Sequence, residues 1–535
     1  MDGAPDDSFS VEPYSPDRLK RLFVEHSQAS DAWVSHKLHC DVYFRRYFSK
    51  LDAKTILVER EYISRDYLED FAAYYVKCFQ EYRRTCTRLH FFNQAFTKND
   101  VDALLLGDEG RLTEEWLQRS YLGFIVVKPL PQTIIGMTYL KTYPEEAGKS
   151  RSYPIVRQYE AHLFGMRLKV DSLAFQEQDR VVAACATSAL WSAFQGTGRL
   201  FQHYIPTPVE ITRYATRRTP SESRGIPNTG LESSQIAAAI EEVGLAPYAI
   251  QATHLETFQE TAYGYLKSGI PIILIADLCE AKVSESGTVT RLYPVGRHAI
   301  TLTGFGLGNR VPHEIFDEKS KRIDRVFAHD DQVGPFSRMD IVERRLPLIP
   351  GEAATRDWSL TSSWKPTREG ATEVRFIPQH LIVPLYPKIR VRYEAVTKLA
   401  MRFGGYWGAF GGSPLTWDIH LVLGSDLKKE IVTQGQLKAQ QRRSILQKPL
   451  PRYVWRAKAL TRADEPLFDF IFDATDIDQG KLLLTVLEYS PPGSELHDVV
   501  RNLSELALKA TANTELGPLF EYFVKSPRKG KPSPG

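Results

Sequence analysis

Cysteine is scarce in this chain, five residues in 535. So few, so widely spread, cannot make the disulfide framework of a small secreted domain. Long apolar runs are missing as well. No stretch of about 18 uninterrupted apolar residues occurs, so no membrane span is expected. Nor is there a bias to one charge. Lys and Arg number 68 against 65 Asp and Glu, a formal net charge of +3, so neither nucleic acid nor an anionic membrane surface is an expected partner. The first residues, MDGAPDDSFS, have no basic n-region and no apolar h-region. That argues against a secretory leader and for a cytoplasmic location. There is no G-x-S-x-G, which argues against a serine hydrolase with a nucleophile elbow. GFGLGN (304–309) is glycine-rich, but no helical pattern follows it to make a phosphate loop. His36, His39 and Cys40 cluster in HKLHC with no second ligand pair at zinc-finger or ribbon spacing. No metal and no cofactor are therefore expected, and no repeat at a solenoid period is found.

What is present divides the chain, because 535 residues exceed one hydrophobic core. Residues 1–17 are acidic and contain Pro5, Pro13 and Pro16, the composition of a disordered arm. Residues 18–160 read as an α+β N-terminal region. From Ser64, a plausible N-cap, apolar and aromatic residues from Tyr67 to Tyr82 recur at helical spacing, and GFIVV (123–127) and 134–140 alternate as two strands. Residues 161–349 alternate helix and strand patterns. A helix is predicted from Cys185 to Gly196, a long exposed loop over 206–230, helices ending at Gly244 and Gly269, and a buried strand in IPIILIADL (270–278). HAITLTGFG (298–306) and RIDRVFAHD (322–330) follow as strands. Residues 350–525 read as a β-rich C-terminal region, and 526–535 as a disordered basic tail.

The chemistry concentrates in the middle segment. A cysteine in the first turn of a helix sits where free backbone N–H groups favour negative charge, as a nucleophilic thiolate requires. Cys185 is placed so. A thiolate needs a proton acceptor that later returns the proton, and His298, opening a strand, is suited to that task. A third group must orient the imidazole. Asp330 closes the next strand and can serve, with Asp331 beside it as a rival. Each of these residues also has an ordinary structural use, as buried thiol, structural histidine or turn aspartate. The ordered set singles them out: cysteine at a helix start, two helices and a buried strand, histidine at one strand, aspartate at the end of the next.

Those segments, QDRVVAACATSALW (178–191), GLESSQIAAAIEEVGL (230–245), LKSGIPIILI (266–275), HAITLTGFG (298–306) and VFAHDDQVGP (326–335), resemble the papain-like cysteine peptidases, in particular the C39-like branch. The resemblance covers about 165–345. It implies an α+β fold whose core packs a nucleophile helix on an antiparallel sheet, flanked by the α+β N-terminal and β-rich C-terminal regions. It implies a cysteine peptidase that opens a peptide or isopeptide bond of a protein or peptide substrate through a thioester, with Cys185, His298 and Asp330 as triad. It also implies an oxyanion glutamine six residues before the nucleophile. Asp179 stands there, so Gln178, or failing that Gln176, takes the role, and Ala186 replaces the glycine that often follows the nucleophile. The alternatives are a catalytically altered module that binds a partner, and a deamidase or transamidase using the same triad. The flanks are expected to govern access to the cleft and to receive any regulatory protein partner. The loop 206–230, with Arg213, Arg217, Arg218 and Arg224, is expected to border the cleft.

Overall fold

A computed structural model describes residues 8–108, 110–144, 150–179, 184–217, 230–309, 316–348, 355–409, 413–475, 482–489, 495–511, 514 and 516–525. The fold is mixed α+β with largely antiparallel sheets. The chain forms two compact units. The first comprises Met1–Thr253, Gly269–Gly306 and Arg325–Pro384, and the second His254–Ser268, Leu307–Asp324 and Leu385–Gly535. No described helix is long and apolar enough to cross a membrane.

In the first unit a five-stranded antiparallel sheet runs in chain order through Phe9–Pro13, Thr55–Tyr62, Cys86–Phe92, Tyr121–Val127 and Ile135–Leu140. Every residue of Cys86–Phe92 and Tyr121–Val127 is buried, so both are central strands covered on two faces. Residues 9–13 thus belong to the sheet, with Phe9 paired to Glu59, and the arm expected over 1–17 is corrected there. The helix predicted from Ser64 through Tyr82 is also corrected. It spans only Arg65–Ala73, and a single 3₁₀ turn, Tyr75–Lys77, follows. Tyr75 is pulled out of the helical repeat by a tertiary bond, its hydroxyl donating to Asp179 at 2.6 Å. Cys78 lies beyond the helix, and Cys86 opens a strand.

The second sheet of this unit positions the chemistry. Its order is Ser359–Thr361, Gly334–Val342, Ile323–Asp330, Val289–Leu307, Ile272–Val283, Glu373–Leu385 and Ala246–Gln251. Ser359–Thr361 pairs with both Gly334–Val342 and Glu373–Leu385, which closes six of the seven strands into a ring. A ring leaves few free edges to be protected. The boundary expected at residue 349 is crossed here, because strands from beyond it complete the sheet that holds His298. Against the sheet lies the helix Cys185–Phe201, buried along nearly its whole length. It runs five residues past Gly196. That glycine is required by close approach, since a Cβ there would stand 2.9 Å from Ile155 Cγ2. The loop expected over 206–230 contains the helix Pro208–Thr216. Its start signals are in the sequence: Thr207 and Glu210 form a capping box and Pro208 takes the first helical position. Residues 218–229, with Arg218 and Arg224, lie outside the described residues, as do residues 526–535 of the expected tail.

The second unit is built on a five-stranded sheet, Phe316–Glu318, Leu415–Leu423, Tyr453–Leu460, Pro466–Asp473 and Leu483–Glu488. The first pair is parallel and the other three antiparallel. Trp417, Phe403, Phe468, Phe470 and Phe523 form an aromatic core on one face, each fully buried ring contributing about 1.5–3 kcal/mol. Among the described residues five helices between Tyr393 and Lys525 accompany these strands, so the region expected to be β-rich is α+β as well.

Candidate active site

Cys185 is the first residue of its helix and is half-buried. Ala184, the N-cap, supplies no capping side chain. The positive end of the helix is therefore free to meet a negative charge at the thiol or at an oxygen bound beside it. The helix is fixed to the strand of His298 by a hydrogen bond from Thr301 Oγ1 to the Ala189 carbonyl, 2.6 Å long. Three residues before Thr301, His298 lies within Val289–Leu307, opposite Ala276 and just after a register shift at Pro294/Gly296. It was expected at the strand's start, and the shift explains why the pattern changes there.

The imidazole is 6% exposed and lines one cleft with Cys185, whose thiol favours its protonated form. On its other side Nε2 lies 3.3 Å from Asp330 Oδ1, which leaves Nδ1 as the nitrogen for the thiol. Asp330 is fully buried and held by two further donors, Trp364 Nε1–H to Oδ2 at 2.7 Å and Gln332 N–H to Oδ1 at 3.0 Å. Asp331 Oδ1 is also close to Nε2, at 3.4 Å, but makes no hydrogen bond. Its Oδ2 accepts from Gln332 Nε2 at 2.9 Å. The turn carrying both acids is clamped by Tyr43, whose hydroxyl donates to the Pro335 carbonyl. Gly334, at φ +150°, is the residue that lets this ring approach, since a Cβ would meet it at 2.7 Å.

Electrostatics separates the two acids. Burial raises the Asp330 carboxyl, but the hydrogen bond and charge of His298 outweigh it, and the net shift is downward. Burial pushes the Asp331 carboxyl up to about 6, against the opposing charge of His298. Burial also works against a charged His298, yet the Asp331 charge and the bonds to Asp330 and Cys185 lift its pKa well above the usual imidazole range. The ring is thus ready to hold a proton as imidazolium beside Asp330. Among the described residues, His298, Asp330 and Asp331 are also the one group of side chains close enough to share a metal ion. Both Asp330 oxygens already accept N–H bonds, the arrangement of a carboxylate orienting a histidine.

The stretch before the helix alternates. Glu177 accepts from Lys37 and from the Ile134 and Ile135 amides at 3.0 and 3.1 Å, and Asp179 accepts from Tyr75. Gln178 lines a cleft of about 660 Å³ together with Cys185, His298 and Trp364. Gln176 is buried, its Nε2 without a partner, and does not line that cleft. Of the two glutamines considered, Gln178 is the one that lines the cleft of Cys185. Glu232 and Arg297 edge the same cleft. Arg213 is exposed, and Arg217 pairs with Glu242 at 2.8 Å.

Trp364 is a site residue that sequence reasoning missed. It lies 34 residues beyond Asp330, in a stretch with no periodic pattern, and only the closing of the sheet brings it in. Its ring meets His298 edge-on at 5.5 Å. Trp364→Phe keeps an aromatic wall and removes the N–H. The expected result is an approximately tenfold slower alkylation of Cys185, from the loss of one charge-assisted bond to Asp330, measured by timed labelling and mass spectrometry. No family model matches the chain, and no curated protein matches it.

Proposed function

We propose that the chain is a papain-like cysteine hydrolase of the C39-like kind, acting on a peptide or isopeptide bond of a protein substrate. The observation that carries this reading is one buried imidazole that shares its cleft with Cys185 and is bonded to a fully buried Asp330. In the first step the Cys185 proton passes to His298 and the sulfur bonds to the substrate carbonyl carbon. The carbonyl oxygen becomes an oxyanion facing the Cys185 N–H and the Gln178 side chain. As the C–N bond breaks, His298 returns the proton to the departing amine and a thioester remains. Water, losing a proton to His298, then attacks the thioester. The carboxylic acid leaves and the thiol is restored. Ammonia as leaving group would make the same cycle a deamidation, and an amine in place of water a transamidation. All five cysteines are unpaired, which suits work in the reducing cytoplasm.

Brief treatment with iodoacetamide tests the reading. Cys185 should be alkylated well before the other four. Burial pushes the Cys40 and Cys86 thiols up to about 12, and Cys279 is fully buried. Equal labelling of all five, or a silent Cys185, would return the chain to a binding module. A thiol-directed activity probe on wild type and Cys185→Ala then identifies cut proteins.

A further inference from the structure

Gln178 stands between two buried acids. Glu177 is 5% exposed and Asp179 2%, whereas Gln178 is half-buried and lines the cleft of Cys185. Resting on the proposed acyl-transfer role of Cys185, we infer that Glu177 and Asp179 are positioning residues. Tied by Lys37 and Tyr75 to the N-terminal part of the chain, they hold Gln178 where the oxyanion forms.

The anchoring begins before the acids. Phe175 pairs with Thr138 in Ile135–Leu140, the last strand of the first sheet, through backbone bonds of 2.8 and 3.0 Å. The Glu177 N–H donates to the Ile135 carbonyl at 3.0 Å. The Glu177 carboxylate then accepts from the Ile134 and Ile135 amides at 3.0 and 3.1 Å and pairs with Lys37. Asp179 has its own partners. The Tyr75 hydroxyl donates to its Oδ2 at 2.6 Å, and the buried Lys128 Nζ stands 4.0 Å from the same oxygen. One residue of chain, Gln178, is thus left between two points that are each bonded to the N-terminal region.

Stability alone does not account for the acids. A buried carboxylate loses its hydration, and a buried ion pair can often be replaced by apolar side chains without loss of stability. A charge-assisted bond does fix a geometry, because it has a direction. An oxyanion donor needs that service, since it is effective only when aimed in advance at the place where negative charge will appear. Glutamine has several rotatable side-chain bonds. If its backbone could shift as well, the amide would spread over many positions and the donor would be lost for much of the time.

The test separates the oxyanion from the thiolate and uses two reagents on the full chain. With 4-nitrophenyl acetate the Cys185 sulfur bonds to the carbonyl carbon while its proton passes to His298. The oxyanion then collapses, the C–O bond breaks, 4-nitrophenolate leaves and a thioester remains. Iodoacetamide is attacked at its saturated carbon and loses iodide, so no oxyanion forms. Tyr75→Phe, Lys37→Met and Glu177→Gln should each slow the nitrophenolate burst by about tenfold, after subtraction of the Cys185→Ala chain. Gln178→Ala should slow it by about a hundredfold. Alkylation of Cys185 in the three positioning variants should change by less than about twofold. Lys37→Arg, which keeps a donor for Glu177, should recover most of the burst. Tyr75→Phe removes one oxygen and keeps the ring, so it carries the test where another variant does not fold. Parallel losses with both reagents would overturn the inference, as would a normal burst in the positioning variants beside a slow one in Gln178→Ala. Both results leave the hydrolase standing. A normal burst in Gln178→Ala would overturn it too, by placing the donor elsewhere. No burst from the wild-type chain would sink the hydrolase and the inference with it.

Discussion

His298→Ala is expected to slow the reaction of Cys185 with electrophile or substrate by about 10²- to 10⁴-fold, the range of a positioned acid–base group. The thiol loses the imidazole beside it, and no other lining residue of the cleft offers one at that point. The same substitution also strips a buried Asp330 of its counter-charge. Removing one partner of a buried ion pair costs about 3–5 kcal/mol, because the other charge stays in the interior. The pH dependence has a definite sign. The His298 pKa is raised on folding, so its contribution is complete below the unfolded value of about 6.5 and fades as pH rises through the folded value. The Asp330 pKa is lowered, so its contribution is present above about 3.9 and fades as pH falls through its folded value. Thermal unfolding should therefore show the largest gap between wild type and His298→Ala near pH 5–6, narrowing as pH rises through the folded His298 value. A gap independent of pH would mean that His298 is held by packing and carries no paired charge.

What could be read from the sequence follows the length scale of each signal. Runs such as IPIILIADL and FDFIFDAT carry the two-residue period or the β-branched density of a strand, and both lie in strands, Ile272–Val283 and Pro466–Asp473. The Ala-rich spacing after Cys185 placed the helix start. Helix ends were harder. Aromatics from Tyr67 to Tyr82 keep helical spacing on paper, yet the bond of Tyr75 to Asp179 and the exposure of Phe79 show that tertiary contacts ended the helix early. The Thr207–Glu210 capping box was local and legible, but a proline- and arginine-rich composition hid it. Trp364, Gln332 and Thr301 were not legible as parts of a site, because each gets its role from a partner far off in the chain or from a turn whose shape Tyr43 and Gly334 impose. The order of cysteine, histidine and aspartate carried the proposal, while the shells around them came from closing the sheet.

Asp330→Asn and Asp331→Asn should behave oppositely, although the residues are neighbours and both lie within 3.4 Å of the same ring nitrogen. Asp330 accepts from His298, Trp364 and the Gln332 amide. An amide there must turn its oxygen to one donor and its NH₂ against another, which favours the wrong tautomer of the histidine. In a serine triad that change costs about 10⁴ in turnover, and a loss of about 10²-fold or more in Cys185 reactivity is expected here. Asp331 has no comparable set of donors, and its Oδ1 is an unpaired buried atom. Its pKa is raised to about 6 on folding, so ionising it opposes the fold: the stability tied to its neutral form is complete below about 3.9 and is lost as pH rises through about 6. Asparagine cannot ionise and avoids that loss. Asp331→Asn should match wild type near pH 4, exceed it in thermal stability at pH 7–8, and lower Cys185 reactivity by less than about tenfold, because the Asp331 charge helps to keep His298 protonated without orienting it. Melting curves at pH 4 and pH 8 with timed alkylation of both variants decide the matter. If Asp331→Asn is the variant that loses reactivity and Asp330→Asn the one that gains stability, the orienting acid is Asp331.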